Sequence, residues 1–232
     1  MLIPEQVLQI VKKSALFTGL QVDEQKALLA NGRMHEVPTG SYFFQQGEEA
    51  LILYIITQGR VKLTKVTENG DQIIINYFGP GQGLGIIVAL SEMAYPLSAE
   101  AIEPCEAVAW HRDTIKAMMY HNSRLAVNGL EMVAKRFMQL QEQFSDVATK
   151  QVEQRVARTL LRLARQFGKR NEQGILIDIP LSRQSLAEMT GTNLYNVSRI
   201  LSRWEREGLV LCRRESITLS KAHKLVIIGE GL

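Results

Sequence analysis

Residues 181–210, LSRQSLAEMTGTNLYNVSRILSRWEREGLV, leave a chain little choice about what to fold into. Ser182 is a strong helix N-cap, Leu186, Ala187 and Met189 supply the apolar stripe of a short helix, and Gly191 can leave it in the left-handed conformation. A second helix follows at once. At helical spacing its Val197, Ile200, Leu201 and Trp204 fall on one side, and Tyr195, Ser198, Arg199 and Ser202 on the other. Two amphipathic helices joined by a glycine turn read as a helix-turn-helix. A polar outer face with a guanidinium suits base edges in a major groove, because the arginine fork can meet guanine O6 and N7 together. Gly208 closes the second helix, and LVLCRR and SITLS then read as two short strands with a turn near Glu215. Such a wing would hold Arg213 and Arg214 towards a phosphate backbone. The candidate DNA contacts of the whole module are Ser182, Arg183, Gln184, Thr192, Asn193, Tyr195, Asn196, Ser198, Arg199 and Arg203.

Charge points the same way. The formal total of +3 is unevenly placed: residues 1–149 hold 12 Lys/Arg against 16 Asp/Glu, a net of −4, and residues 150–232 hold 15 against 8, a net of +7. A basic C-terminal third on a mildly acidic remainder is the footprint of a module that docks on a polyanion.

The remaining composition sets outer limits. A chain of 232 residues with 46% hydrophobic and 22% charged residues is that of a globular protein of one large or two ordinary domains. No apolar run of about 18 residues and no export signal stand in it, so a cytoplasmic location and no membrane partner are expected. Cys105 and Cys212 lie far apart in different segments, which argues for two free thiols packed as small apolar side chains.

From Met34 to His111 the pattern becomes strand-like. EVPTGSYFFQQGE, LYIITQGRVKLTKV, NGDQIIINYFGPGQGLG and SAEAIEPCEAVAWH are short runs of β-branched and aromatic residues, punctuated by Gly, Pro and Asn-Gly. This spacing implies an antiparallel sandwich or jelly roll. Asn69-Gly70 is the strongest hairpin signal, since both residues tolerate the positive φ of a type I′ turn, and a tight register is expected there.

Between these strands and the basic module the pattern predicts a long helix, roughly 121–150. Leu130, Val133, Phe137, Leu140, Phe144 and Val147 alternate spacings of three and four, the a/d seam of a coiled coil, with Lys135, Arg136, Glu142 and Asp146 outside it. A helix packed on its own sheet would need no such sustained stripe. The expected product is a parallel homodimer.

A β-roll, a long dimerisation helix, a further helix (QVEQRVARTLLRLARQFG) and a winged helix-turn-helix, in this order, resemble the cyclic-AMP receptor and fumarate-nitrate regulator (CRP/FNR) family of bacterial transcription regulators. The resemblance covers nearly the whole chain. It is carried by Leu16-Phe17 with Gly19-Leu20, Gly40 with Gln46-Gly47-Glu48, Tyr54-Ile55 with Gly59-Arg60-Val61, and Ser182-Arg183-Gln184, Ala187, Gly191, Val197-Ser198-Arg199 and Leu201. It implies an α+β chain divided into a β-roll effector domain (1–120), a dimerisation helix and hinge (121–150) and a winged helix-turn-helix (151–232). It also implies a homodimer that binds double-stranded DNA with two-fold-related half-sites, works with RNA polymerase, and answers to a small-molecule or redox signal reaching the roll.

Departures from the family pattern narrow that signal. Members that bind cyclic AMP hold the ribose with a Gly-Glu pair and the phosphate with an Arg-Ser pair some ten residues on. Here Gly85 is followed by Ile86, and Ser98 is preceded by Leu97. A phosphate monoanion buried without a cation forfeits its charge-assisted hydrogen bonds, so the usual mode of cyclic AMP binding is disfavoured. The helix positions facing the pocket correspond to Leu140 and Gln141. Arg136 matches an arginine that contacts 2-oxoglutarate in the nitrogen-control branch, although Gln141 stands where that branch has an acidic residue. The candidate effector pocket is therefore Gly85, Ile86, Leu97, Ser98, Arg136, Leu140 and Gln141. An iron-sulfur cluster is strongly disfavoured, since no cysteine precedes Cys105. Haem stays open, with His35, His111, His121, Met34 and Met93 as axial candidates, as does an organic effector in an apolar pocket, and no other metal site is expected. In the recognition helix many members place a glutamate four residues before the reading arginine. Tyr195 stands there, so the base pair it reads should differ while the guanine preference of Arg199 stays, with Asn193 or Asn196 available for adenine.

No nucleophile elbow, P-loop, HExxH or cysteine-histidine cluster is present, so the chain does not read as an enzyme. The competing reading is a ligand-binding regulatory subunit whose basic C-terminal module contacts a protein.

Overall fold

A computed structural model describes residues 4–232, arranged in two compact units that divide between Gln139 and Leu140. The first unit opens with α1 (Glu5–Lys12), a 3-10 turn (Ala15–Phe17) and α2 (Val22–Ala30). Strands β1 (Arg33–Val37), β2 (Tyr42–Phe44), β3 (Ile52–Gln58), β4 (Val61–Val66), β5 (Gln72–Phe78) and β6 (Gly83–Leu84) follow. Next come the short α3 (Ile87–Leu90), then β7 (Ser98–Ala101), β8 (Cys105–His111), α4 (Arg112–His121) and α5 (Ser123–Thr149). The strands form two four-stranded antiparallel sheets, in the orders β1-β8-β3-β6 and β2-β7-β4-β5, as the sandwich pattern implies.

Strand β3 shows why the sequence reads as continuous apolar there. Its side chains alternate between faces: Leu53 and Ile55 join Val11, Leu16, Phe17, Leu28 and Trp110 in a cluster beneath the helices. Tyr54 and Ile56 instead point into the sandwich with Phe44, Val61, Leu84, Tyr95 and Ala107. Both faces are covered, so no polar position interrupts the run. Trp110 is fully buried, and its indole N–H is satisfied by Leu28 C=O at 2.7 Å.

The β4–β5 hairpin differs from its expected form. Gly70 has φ +84°, but Glu215 is the non-glycine residue with positive φ among those described, so Asn69 does not take the conformation a type I′ turn requires. Thr67 N–H bonds Asp71 C=O (2.9 Å) and Gly70 N–H bonds Thr67 C=O (3.0 Å), leaving a loop one residue longer than the two-residue hairpin. Such a loop needs one left-handed residue, at its end, where Gly70 stands. The register also shifts between Leu63, opposite Asn76, and Thr64, opposite Ile74. This bulge replaces the tight register expected.

The long helix is Ser123–Thr149; His121 closes α4, and Asn122 (φ −131°, ψ 97°) separates the two helices. One face of α5 is anchored in the first unit by Leu125, Asn128, Gly129 and Met132. Asn128 is buried in that face, and its amide donates to Leu16 C=O and Thr18 C=O, each at 2.8 Å. Arg124 Nε also reaches Thr18 C=O, so truncation at Asn128 strands chiefly the Leu16 carbonyl. Asn128→Ala is expected to cost about 1–3 kcal/mol of stability, measurable as a lowered urea midpoint at unchanged slope. An unchanged midpoint would show that this grip contributes nothing.

The second unit holds the end of α5, then α6 (Val152–Phe167), β9 (Gly168–Asn171), β10 (Gly174–Ile177), α7 (Arg183–Thr190), α8 (Leu194–Arg206), β11 (Val210–Arg213), β12 (Ser216–Leu219) and α9 (Ala222–Glu230). Its sheet has the order β11-β12-β10-β9, so the expected wing hairpin is extended by a second hairpin that the sequence pattern did not suggest. Every residue of β9 is exposed, which removes the alternation that would have marked it.

Candidate nucleic-acid interface

The helix-turn-helix forms where its caps and glycine dictate. Ser182 Oγ accepts from Ser185 N–H at 2.9 Å to start α7, and Gly191 ends it at φ +60°. Asn193 Oδ1 accepts from Asn196 N–H at 2.9 Å to start α8. Leu186, Ala187, Val197, Ile200, Leu201 and Trp204 are buried; Met189 is half-buried, and Thr190 takes the remaining core position of α7.

The outer face of α8 presents Tyr195, Arg199 and Ser202 to solvent, with Ser198 half-buried beside them. Tyr195 is 72% exposed, and the Arg199 guanidinium lies 6.0 Å from its ring centroid. These residues stand one turn apart on the same exposed face, at the outer limit of a cation–π contact. The other candidates are more committed. Asn196 Nδ2 donates to Thr192 Oγ1 (3.1 Å) and Gln184 Nε2 to Glu188 (3.0 Å), while Asn193 caps the helix. The role assigned to Asn193 in reading adenine thus competes with its capping bond. Arg203 is ion-paired to Glu153 of α6, and the same carboxylate accepts from Trp204 Nε1 at 2.9 Å. Glu153 is a residue the sequence pattern did not single out, since its partners lie 50 and 51 positions away.

A cleft of about 280 Å³ opens between the start of α7 and the wing, lined among others by Ser182, Arg183, Cys212, Arg213 and Arg214. The Glu215 carbonyl accepts from Leu181 N–H at 3.0 Å, tying the wing tip, where Glu215 sits at φ +53°, to the entry of α7. Arginines around a helix N-terminus make this cleft receptive to an anionic oxygen. Cys212 is half-buried there; burial pushes its thiol pKa up, so it stays a neutral packing group.

The residues assigned to an effector pocket have different local surroundings. Ile86 packs in the cluster beneath the helices, whereas Leu97 packs against the sandwich interior. Ser98 Oγ accepts from Gln46 N–H at 2.9 Å. Gly85 has φ +71°, with Tyr95 packed close by; that ring stacks on Phe44 at 3.8 Å, and its hydroxyl donates to Ile52 C=O at 2.7 Å. Arg136 bonds the Gly83 carbonyl and stands over the Phe78 ring at 5.1 Å. Desolvation pulls the pKa of that guanidinium down to about 10. Leu140 and Gln141 are exposed and fall in the second unit.

Each haem candidate has a local partner or none. His35 packs at a tilt against Tyr54 with ring centroids 5.2 Å apart, His111 caps α4, and His121 Nδ1 lies 2.7 Å from Ala117 C=O. Met34 packs beneath the helices, and Met93 is exposed. Among the described residues no group of three or more His, Cys, Asp or Glu side chains could hold a metal ion, and no helix is long and apolar enough to cross a membrane.

The dimer-seam candidates Leu130, Val133, Phe137, Leu140, Phe144 and Val147 are all exposed, from 37% for Val133 to 74% for Phe144. In α5 they form a stripe distinct from the anchored face, an apolar surface of the kind that marks an interaction site.

Comparison with known proteins matches two family models to the chain, a cyclic nucleotide-binding domain over residues 34–122 and a Crp-like helix-turn-helix domain over residues 154–226. The Cyclic AMP receptor protein of Thermus thermophilus is 28% identical, with 96% of this chain and 100% of that protein aligned. A CRP-like cAMP-activated global transcriptional regulator of Mycobacterium tuberculosis is 24% identical over 94% of this chain and 97% of its own length. Among solved structures, FixK2 from Bradyrhizobium japonicum superposes with a TM-score of 0.76 at 21% identity, covering 85% of this chain and 96% of that one.

Proposed function

Because the chain belongs to the CRP/FNR family of transcription regulators, we propose that it acts in the cytoplasm as a homodimer reading a two-fold-related DNA site, controlled by an effector held otherwise than cyclic AMP usually is. The observation carrying this reading is the exposed Tyr195–Arg199 face of α8 beside the arginine-lined cleft. Arg199 supplies a fork for guanine, and Tyr195 offers a ring for a thymine methyl and a hydroxyl for a polar edge. Arg183, Arg213 and Arg214 hold phosphates and set the register. The seam of α5 joins two copies, so two recognition helices face one side of the duplex. By this reading residues 1–120 sense, 121–150 dimerise and 151–232 read DNA, with RNA polymerase as the partner of the DNA-bound form.

The relatives named for cyclic AMP make that nucleotide the first effector to test. By the resemblance Ile86 replaces the ribose-holding glutamate and Leu97 the phosphate-holding arginine; Ser98 Oγ already accepts from Gln46 N–H, and Tyr95 packs close to Gly85. A ligand at a hundred times its Kd stabilises by about 2.7 kcal/mol. Cyclic AMP is expected to shift neither the melting temperature nor the affinity for DNA, and a clear shift in either would overturn this part of the reading. Gel shifts with a random-sequence duplex pool, followed by selection, test the DNA reading itself; recovery of no consensus would overturn it.

A further inference from the structure

We propose that Asp146, Arg158 and Glu230 form a latch that fixes the angle between α5 and α6, and so sets the half-site spacing the dimer accepts; this rests on the dimeric DNA-reading function above. Only Lys150 and Gln151 lie between the two helices, and Gln151 is extended (φ −65°, ψ 156°). A two-residue joint has several backbone torsions, and its helix caps do not by themselves fix the crossing angle. The latch spans the joint from outside it. Both carboxylate oxygens of Asp146 lie near Arg158 Nε, at 2.9 and 3.0 Å, and Arg158 Nη1 reaches Glu230 of α9 at 2.9 Å. Gly229 packs directly against the latch: a Cβ there would lie 3.2 Å from Arg158 Cγ, a tight approach that glycine avoids. Arg162, one turn further along α6, is desolvated beside Asp146 and Glu142 and adds positive potential on the same side.

From this joint α6 carries the constraint onward to both helices of the reading unit. Arg155 donates to Lys150 C=O at 2.9 Å, to Thr190 C=O at 2.8 Å and to Gly191 C=O at 3.2 Å, gripping the joint and the end of α7 together. Glu153 holds α8 through Arg203 and Trp204. The recognition helix is therefore tied through one helix to the end of the dimer helix. Inserting a base pair between half-sites moves one of them by roughly 3.4 Å and rotates it by roughly 34°. A fixed joint cannot follow that change, whereas a loosened joint can.

The experiment compares wild type with Asp146→Ala and Arg158→Met, the latter keeping an apolar stem against Gly229. Each is titrated with the selected duplex, the same duplex lengthened by one central base pair, and a duplex carrying one half-site. For wild type the insertion is expected to weaken binding by about tenfold or more, through lost simultaneous engagement. In both variants that penalty should fall to about threefold or less, with half-site affinity unchanged and Arg158→Lys restoring most of the penalty. Variants that keep the full spacing penalty would overturn the latch, as would an equal loss of affinity for all three duplexes, which marks mere support of the fold. A wild-type protein indifferent to spacing would overturn the dimeric reading, and the latch with it.

Discussion

Replacing Phe137 and Phe144 together by glutamate should leave a monomer that binds its full DNA site about 10²–10⁴-fold more weakly than wild type and a single half-site as well as before. The two phenylalanines are 59% and 74% exposed and stand one heptad apart on α5, where a paired copy would bury both. Glutamates there would face their own images across an apolar seam, and neither the repulsion nor the desolvation would be offset. Because neither side chain packs in its own unit, the variant should melt as a folded protein. Sedimentation checks the outcome; an intact dimer would remove the seam from the account.

How much of this was legible in the sequence depended on whether a feature is local. Ser182, Gly191 and the alternation of Val197, Ile200, Leu201 and Trp204 with Tyr195 and Arg199 are fixed by caps, a left-handed glycine and helical periodicity, all within a few residues. The seam of α5 is local in the same sense. Features made by distant partners stayed hidden: no pattern near Glu153 announces Arg203 and Trp204, and none near Asn128 announces the Leu16 and Thr18 carbonyls. The Asn69-Gly70 turn failed for a different reason, because the dipeptide permits a type I′ turn without demanding it and the strand ends chose a longer loop. The effector residues were placed by resemblance alone. Ile86, before α3, packs in one apolar cluster and Leu97, at the entry of β7, against the other, a division set by long-range packing that no local pattern announces.

Arg199→Ala should cost about 1–3 kcal/mol per half-site, hence roughly twice that for the dimer, and should abolish the preference for one guanine in each half-site. The arginine is exposed, with its guanidinium 6.0 Å from the Tyr195 ring centroid, so its loss should leave stability nearly unchanged. Arg183→Ala should behave otherwise. At the entry of α7 its contact is to phosphate, so all sequences should weaken about equally and the salt slope should fall by roughly one unit per half-site. Binding of both variants to the consensus and its single-base derivatives separates the two roles. Full retention of base preference by Arg199→Ala would place the reading helix elsewhere.

The most direct test of the central claim is a salt titration of the wild-type protein on its selected duplex and on the same duplex with one half-site scrambled. A dimer reading two half-sites through arginines predicts affinity that falls steeply with rising salt and drops about 10²–10⁴-fold when one half-site is scrambled. Equal affinity for the two duplexes across the salt range would contradict it.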